Sequence, residues 1–150
     1  MTKSQRLKPI IKLSDNRQQD AARAVAESKR ILEEHQDRLA DLERYRDEYA
    51  ARFKAMGAGG MVVSQLHEYR AFLSNLAAAV TQQEKLVLIS RQDLDGKIRL
   101  WNQARGKARA LDVVVIKYRQ EEQRIEGRRE QILSDEQAQR LNRKKNDRKP

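Results

Sequence analysis

A heptad repeat of apolar residues constrains this chain more than any other feature. Alternating steps of four and three residues from Ala21 select a mostly apolar track that ends at Met56, and the same steps from Leu66 continue to Ile132 without an inserted residue. We call the residues on these two tracks the seam. A 3.5-residue repeat sustained over many turns is typical of helices that supercoil around each other. The pattern therefore predicts two long coiled-coil helices.

The only glycine cluster, Met56-Gly-Ala-Gly-Gly-Met61, separates the two tracks. Glycine tolerates the backbone conformations that reverse a chain after a helix, and a short connection makes the two helices antiparallel. We predict an all-α fold, a long antiparallel two-helix coiled-coil hairpin with a longer second helix. Residues 1–143 form the hairpin, with helix 1 at about 5–56, a turn at 57–63 and helix 2 at about 64–143. Residues 144–150 form a basic disordered tail, and residues after Val115 extend beyond the partner helix.

Composition and charge narrow the class of protein. Charged residues make up 36% and aromatic residues 5% of the chain, which disfavours a thick globular core. No apolar run is long enough to cross a bilayer, and the sequence has no cysteine and no apolar signal core. We therefore expect a cytoplasmic protein without membrane insertion. Most of the net charge of +10 comes from the two ends of the chain, whereas the middle is mixed in sign.

The sequence contains no recognisable catalytic arrangement. Its serines lie on or beside predicted helices, and its carboxylates are scattered over exposed faces. His35 falls on the seam, where a histidine is usually packed, and His67 lies in the first turns of the second helix. A two-helix structure also lacks a cavity that excludes water from a reaction. We predict that the chain is not an enzyme and has no catalytic residues, no cofactor and no metal site.

Two aromatic residues indicate a docking surface near the turn. Tyr45 and Phe72 each lie one residue before a seam position, and antiparallel pairing would bring them close together. With neighbouring side chains they would form an aromatic-aliphatic patch, which we call the turn patch: Leu42, Tyr45, Tyr49, Phe72, Leu76 and Ala79. Such patches are typical of protein interfaces. Core packing of a thin coiled coil is the alternative interpretation.

The order of motifs around the turn resembles the flagellar export protein FliJ family. The matching residues are Leu39-x-x-Leu42-x-x-Tyr45-x-x-Glu48-Tyr49, then Met56-Gly-Ala-Gly59, then Tyr69-x-x-Phe72-x-x-x-Leu76, ending in Gln82-Gln83. The chain length, the tryptophan in the second helix and the basic C-terminal end are similar as well.

The resemblance implies a soluble component of the bacterial flagellar type III export apparatus at the inner face of the cytoplasmic membrane. Members are antiparallel coiled coils that bind the hexameric export ATPase FliI as a central stalk and associate with its regulator FliH. They also bind the cytoplasmic domain of the export gate protein FlhA and recycle export chaperones. The family's gate-binding surface corresponds in this chain to the turn patch.

The basic end of the chain suggests where an ATPase would bind. If a ring's pore is acidic, positive charge speeds encounter, and the candidate residues are Arg140, Arg143, Lys144 and Lys145. Two other functions compete with this interpretation. One is the stalk protein of a related virulence type III secretion system, and the other is a basic coiled coil that binds nucleic acid or acts as an adaptor. Against nucleic acid, the middle of the chain is balanced in charge and no specific nucleic-acid motif is present.

Overall fold

Three helices make up the fold in a computed structural model, which describes residues 1–57, 60 and 62–148. They are α1 (Lys3–Arg6), α2 (Lys8–Met56) and α3 (Val63–Asp147). The described residues contain no strand. The two long helices pair antiparallel as the predicted coiled-coil hairpin, with α3 the longer.

Local sequence signals explain where the helices begin and end. Thr2 caps α1 through a reciprocal capping box with Gln5. Gly57 follows α2 with a φ of +68°, the left-handed conformation that favours glycine after a helix. At the start of α3 the backbone N–H of Val62 donates to Oε1 of Gln65. Ala58, Gly59 and Met61 of the predicted turn lie outside the described residues.

Burial confirms the predicted seam. Every residue selected on α2 from Ala21 to Phe53, and every residue selected on α3 from Leu66 to Glu122, is buried or half-buried. All of the described residues that are classed as buried lie on these tracks: Ser28, Leu32, Tyr69, Leu76, Val80, Gln83, Ser90 and Val115. The heptad repeat thus defines the core of the coiled coil.

The observed helix ends differ from the predicted ones. The N-terminal helix is interrupted at Leu7, so α1 is separate from α2. At the other end α3 continues to Asp147, so residues 144–147 of the predicted tail are helical, and Lys149 and Pro150 lie outside the described residues. Good helix formers and cations in the last turn of a helix account for the extension.

Pairing between the helices also extends further than predicted. Ser4 bonds to Glu122, and the Lys3 ammonium lies 5.5 Å from the centre of the Tyr118 ring, so α3 still has a partner beyond Val115. From residue 123 to residue 148 every side chain is exposed. The exposed stretch of α3 therefore begins after Glu122 rather than after Val115.

The chain divides into two compact units. One consists of residues 19–103 and the other combines Met1–Gln18 with Ala104–Pro150. In the first unit, polar contacts cross the seam: Ser28 Oγ donates to Asp93 Oδ2 at 2.8 Å, and Gln83 Nε2 donates to the backbone carbonyl of His35 at 3.0 Å. These contacts fix which residues of α2 and α3 face each other.

Candidate functional site

Five of the seven aromatic residues meet near the turn, in what we call the aromatic cluster: Tyr45, Tyr49, Phe53, Tyr69 and Phe72. The rings of Phe53 and Tyr69 stack with centroids 4.0 Å apart. Tyr45 contacts Phe72 edge-on, with centroids 6.0 Å apart. Edge-to-face and offset contacts of this kind stabilise aromatic pairs beyond the area they bury.

The aromatic cluster has a buried side and an exposed side. Tyr69 is only 8% exposed, and its hydroxyl donates to the backbone carbonyl of Tyr49 at 3.3 Å. Burial, with a smaller contribution from Tyr49, raises the pKa of the Tyr69 hydroxyl. Tyr45 is 49% exposed, although it touches two other rings. A large ring held in place by neighbours yet open to solvent suits contact with another protein.

The six residues of the turn patch differ in their exposure to solvent. Tyr45 and Ala79 are exposed, whereas Leu42, Tyr49 and Phe72 are half-buried. Leu76 is buried at 7% exposure and belongs to the seam. Tyr45, Tyr49 and Phe72 are in mutual ring contact, as their positions around the seam predict. Leu76 therefore belongs to the core of the coiled coil rather than to an exposed surface.

A groove of about 490 Å³ runs beside the aromatic cluster. The rings of Phe53 and Tyr69 line it, and Arg52 and Glu68 contribute charged groups. The heptad repeat predicts Phe53 and Tyr69 only as seam residues and not as part of a surface. Phe53 and Tyr69 occupy seam positions on opposite sides of the turn, and this placement could have predicted that their rings stack.

The cations proposed for ATPase contact lie at the far end of α3. Arg140, Arg143, Lys144 and Lys145 are all exposed, on the stretch of α3 that follows Glu122. They share one exposed helical segment, which leaves their charges available to an anionic surface.

Glu122 lies at a seam position where the sequence predicts only a break in the apolar track. In the structure its side chain makes a defined contact with Ser4 of α1. Its carboxylate accepts hydrogen bonds from the backbone N–H of Ser4 at 3.0 Å and from the Ser4 hydroxyl at 2.7 Å. The backbone bond, followed by the hydroxyl bond, lowers the pKa of Glu122 below its ordinary value of 4.5. Because the first N–H groups of a helix lack partners within it, this carboxylate satisfies one of them from the opposite helix.

The two histidines have separate environments. His35 lies on the seam, where Gln83 Nε2 is 3.1 Å from its Nδ1 atom. His67 lies in the first turns of α3 and is exposed. Over residues 1–57, 60 and 62–148, no group of three or more histidine, cysteine, aspartate or glutamate side chains is arranged to hold a metal ion.

No helix in the described residues is long and apolar enough to cross a membrane.

Comparison with known proteins identifies a similar structure and a matching family. Among curated proteins, none is significantly similar in sequence to the chain. A solved structure described as a YscO homologue from Chlamydia trachomatis has a similar fold, with a TM-score of 0.64 and 20% sequence identity over 95% of this chain and 97% of that one. The family model "Flagellar FliJ protein" matches residues 2–147. A match over nearly the whole chain shows that the protein belongs to the flagellar FliJ protein family.

Proposed function

We propose that the chain is a non-enzymatic component of the flagellar type III export apparatus. It binds the export ATPase FliI as a central stalk and links the ring to the gate protein FlhA at the inner face of the cytoplasmic membrane. The regulator FliH and the export chaperones are further partners. Membership of the flagellar FliJ family supports the apparatus, and the partly exposed aromatic cluster is the observation that carries the gate contact.

The turn patch supports gate binding through its aromatic side. Few residues dominate most interfaces, and tyrosine is enriched among them because it combines a large ring with a hydroxyl. Tyr45 is half exposed and is held by its contacts with Tyr49 and Phe72. These contacts reduce the conformational entropy that Tyr45 would lose on binding. Tyr45 is thus the central contact residue of the proposed gate interface.

A binding measurement with the purified FlhA cytoplasmic domain tests this interface. The variant Tyr45→Ala with Phe72→Ala should bind the gate domain more weakly by roughly tenfold or more, because interface tyrosines typically contribute more than about 1 kcal/mol. A matched control is Leu88→Ala, since Leu88 is 57% exposed and lies away from the turn patch. Unchanged gate affinity with intact helicity would refute the interface, and loss of helicity would favour a core role for the two rings.

The charged end of α3 supports ATPase binding. Opposite charges steer encounter and mainly raise the association rate, and they act less at high salt. We expect charge reversal of Arg140, Arg143, Lys144 and Lys145 to slow association with FliI and to leave gate binding unchanged. A matched control reverses four exposed cations elsewhere on α3: Arg70, Lys85, Arg91 and Arg99. Equal effects of the two variants would contradict the assignment of the C-terminal cations.

A stalk role in a virulence type III secretion system is the second candidate. The similar fold of the YscO homologue favours it, because the coiled coil spans nearly the full length of both chains. Deletion in the source organism separates the candidates: loss of motility indicates flagellar export, and loss of effector secretion with normal motility indicates the virulence system. A duplex of random DNA serves as the nucleic-acid control, and binding to it should vanish at about 0.2 M salt.

A further inference from the structure

A second heptad track runs along α3, one residue before each position of the seam. Steps of three and four residues from Phe72 to Gln103 select ten positions, of which four are large and apolar and only Asp93 is charged. The ten positions one residue after the seam, from Arg70 to Asn102, include four charged residues and two large apolar ones. Residues at these spacings share one side of a coiled-coil helix, so the two sides of α3 differ in chemistry.

The helix α2 contributes to the same side of the hairpin. Tyr45 lies one residue before a seam position of α2 and touches Phe72 of the second track, which places the two positions side by side. Ile31 lies two heptads before Tyr45 and is half-buried. We call this side the apolar flank, and its large apolar residues are Ile31, Tyr45, Phe72, Leu86, Ile89 and Leu100.

The apolar flank is open to solvent and extends beyond the turn patch. Ile89 is 60% exposed and Leu100 is 56% exposed. The flank shares Tyr45 and Phe72 with the turn patch and continues along α3 to Leu100, which is about 42 Å from Phe72 at the rise of an α-helix. It therefore offers a long and narrow apolar strip along the hairpin.

A row of carboxylates borders the apolar flank on α2. Acidic residues recur there at every seventh position, and all of them are exposed: Asp20, Glu27, Glu34, Asp41 and Glu48. The row runs beside the flank, because its members lie three or four residues from Ala24, Ile31 or Tyr45. Arginines of α2 pair with four of the five carboxylates. Exposed pairs of this kind contribute little, so cations of a partner can replace the arginines.

We propose that the apolar flank binds an amphipathic helix of a partner protein, which carries lysine or arginine along the edge that lies over α2. An apolar strip beside two paired helices suits a third helix, which binds through residues three and four apart. A second copy that packs through the same flank brings no cationic row, and the carboxylates repel an anionic lipid surface. The proposal goes beyond the contacts with the gate and the ATPase and does not depend on them.

A designed peptide tests the proposal on the purified full chain. The basic peptide has four heptads, with leucine at the apolar positions and lysine at every seventh position along one edge. Its acidic twin has glutamate in place of each lysine. We expect the basic peptide to bind more tightly than the twin by roughly tenfold or more at low salt, with a smaller difference at about 0.5 M salt. Equal affinities, or no binding of the basic peptide, would overturn the proposal.

Two consecutive residues of α3 provide matched variants. Ile89 lies on the apolar flank, whereas Leu88, at a similar exposure of 57%, belongs to the other side of α3. Ile89→Gln should bind the basic peptide roughly tenfold more weakly at both salt concentrations, because apolar burial is lost. Leu88→Gln should bind within about twofold of the unmodified chain. Glutamine is a good helix former, so both variants should remain helical by circular dichroism. Equal losses in the two variants would contradict the flank.

Neutral variants test the acidic row in the same assay. Glu34→Gln with Asp41→Asn removes two charges of the row, and Glu33→Gln with Asp47→Asn removes two exposed charges on the other side of α2. We expect the first pair to weaken binding of the basic peptide roughly fivefold at low salt and little at about 0.5 M salt. The second pair should change the affinity by less than about twofold. Equal effects of the two pairs would overturn the assigned orientation of the partner helix.

Photocross-linking in the source organism tests the natural occupant. A photoreactive residue in place of Ile89 should form an adduct with a segment that has apolar residues three and four apart and cations along one edge. The same residue in place of Leu88 should not form this adduct. An adduct with a second copy of this chain, an adduct with a segment that lacks the pattern, or no protein adduct at Ile89 would each overturn the proposal.

Discussion

The two units of the chain distribute their apolar residues differently. Residues 19–103 hold every buried residue of the described chain except Val115, although Leu88 and Ile89 of this unit are exposed as well. In the unit formed by the two ends, aliphatic side chains are exposed beside numerous cations. Burial stabilises a fold, whereas exposed apolar area is available to a partner. Because the buried residues are concentrated in residues 19–103, this unit supplies most of the folding free energy.

Substitution of a buried seam residue should give the largest effect. Leu76→Ala leaves a cavity in the seam, and we expect the free energy of unfolding to fall by about 2–4 kcal/mol. The matched change in the second unit, Ile125→Ala, should cost less than about 0.5 kcal/mol because Ile125 is 45% exposed and follows the last paired residue. Urea denaturation measures both. Equal losses would show that folding energy is not concentrated in residues 19–103.

Loss of a polar seam contact should give a smaller effect. Gln83→Met keeps the side-chain length but removes the bond to the His35 carbonyl and the contact with its Nδ1 atom. The His35 carbonyl keeps its hydrogen bond within α2, so the change removes only the additional bond, and a net hydrogen bond of this kind typically contributes about 0.5–1.5 kcal/mol. We therefore expect a loss of about 1 kcal/mol in urea denaturation. Glu84→Met, at the exposed neighbouring position, is the control and should change little.

The sequence predicted the seam because burial in a coiled coil follows a strict period. It did not predict which residues face each other, since Ser28, Gln83 and Glu122 interrupt the apolar track and resemble defects until their partners are known. The contact between Tyr45 and Phe72 was predictable from their positions beside the seam. The burial of Leu76 follows from its seam position, whereas the exposure of Val113, which lies outside the repeat, was harder to predict. The heptad repeat predicts which residues are buried in the seam, but it makes no prediction for apolar residues at other positions.

Replacing glycines on α3 distinguishes the stretch of α3 that pairs with the N-terminal part of the chain from the exposed stretch after Glu122. A Cβ atom added at Gly106 or at Gly127 would have no heavy atom within 4 Å, so neither glycine is required for close packing. Alanine at each position should favour the helix by about 1 kcal/mol. Gly106→Ala, in the paired stretch, should raise the free energy of unfolding, whereas Gly127→Ala should raise only local protection in hydrogen exchange.

Gly57→Ala is the control, and it should lower the free energy of unfolding, because Gly57 has a φ of +68° that alanine adopts only with strain. An increase in global stability from Gly127→Ala as large as that from Gly106→Ala would indicate that the exposed stretch of α3 unfolds together with the paired one. The difference between the two units would then be smaller than the burial pattern suggests.

The contact between Ser4 and Glu122 should give the smallest effect, confined to the end of the second unit. The hydrogen bonds from Ser4 lower the pKa of Glu122 in the folded chain, so their stabilisation is present above the ordinary value of 4.5 and is lost as the pH falls through the lowered value. The amide resonance of Ser4 should therefore titrate in acid, below pH 4.5. Glu122→Gln removes this titration, and Glu126→Gln, an exposed neighbour, should leave it unchanged. If the Ser4 resonance still titrates in Glu122→Gln, another group must contact the N-terminal helix. The end of the hairpin would then be stabilised by contacts other than this carboxylate.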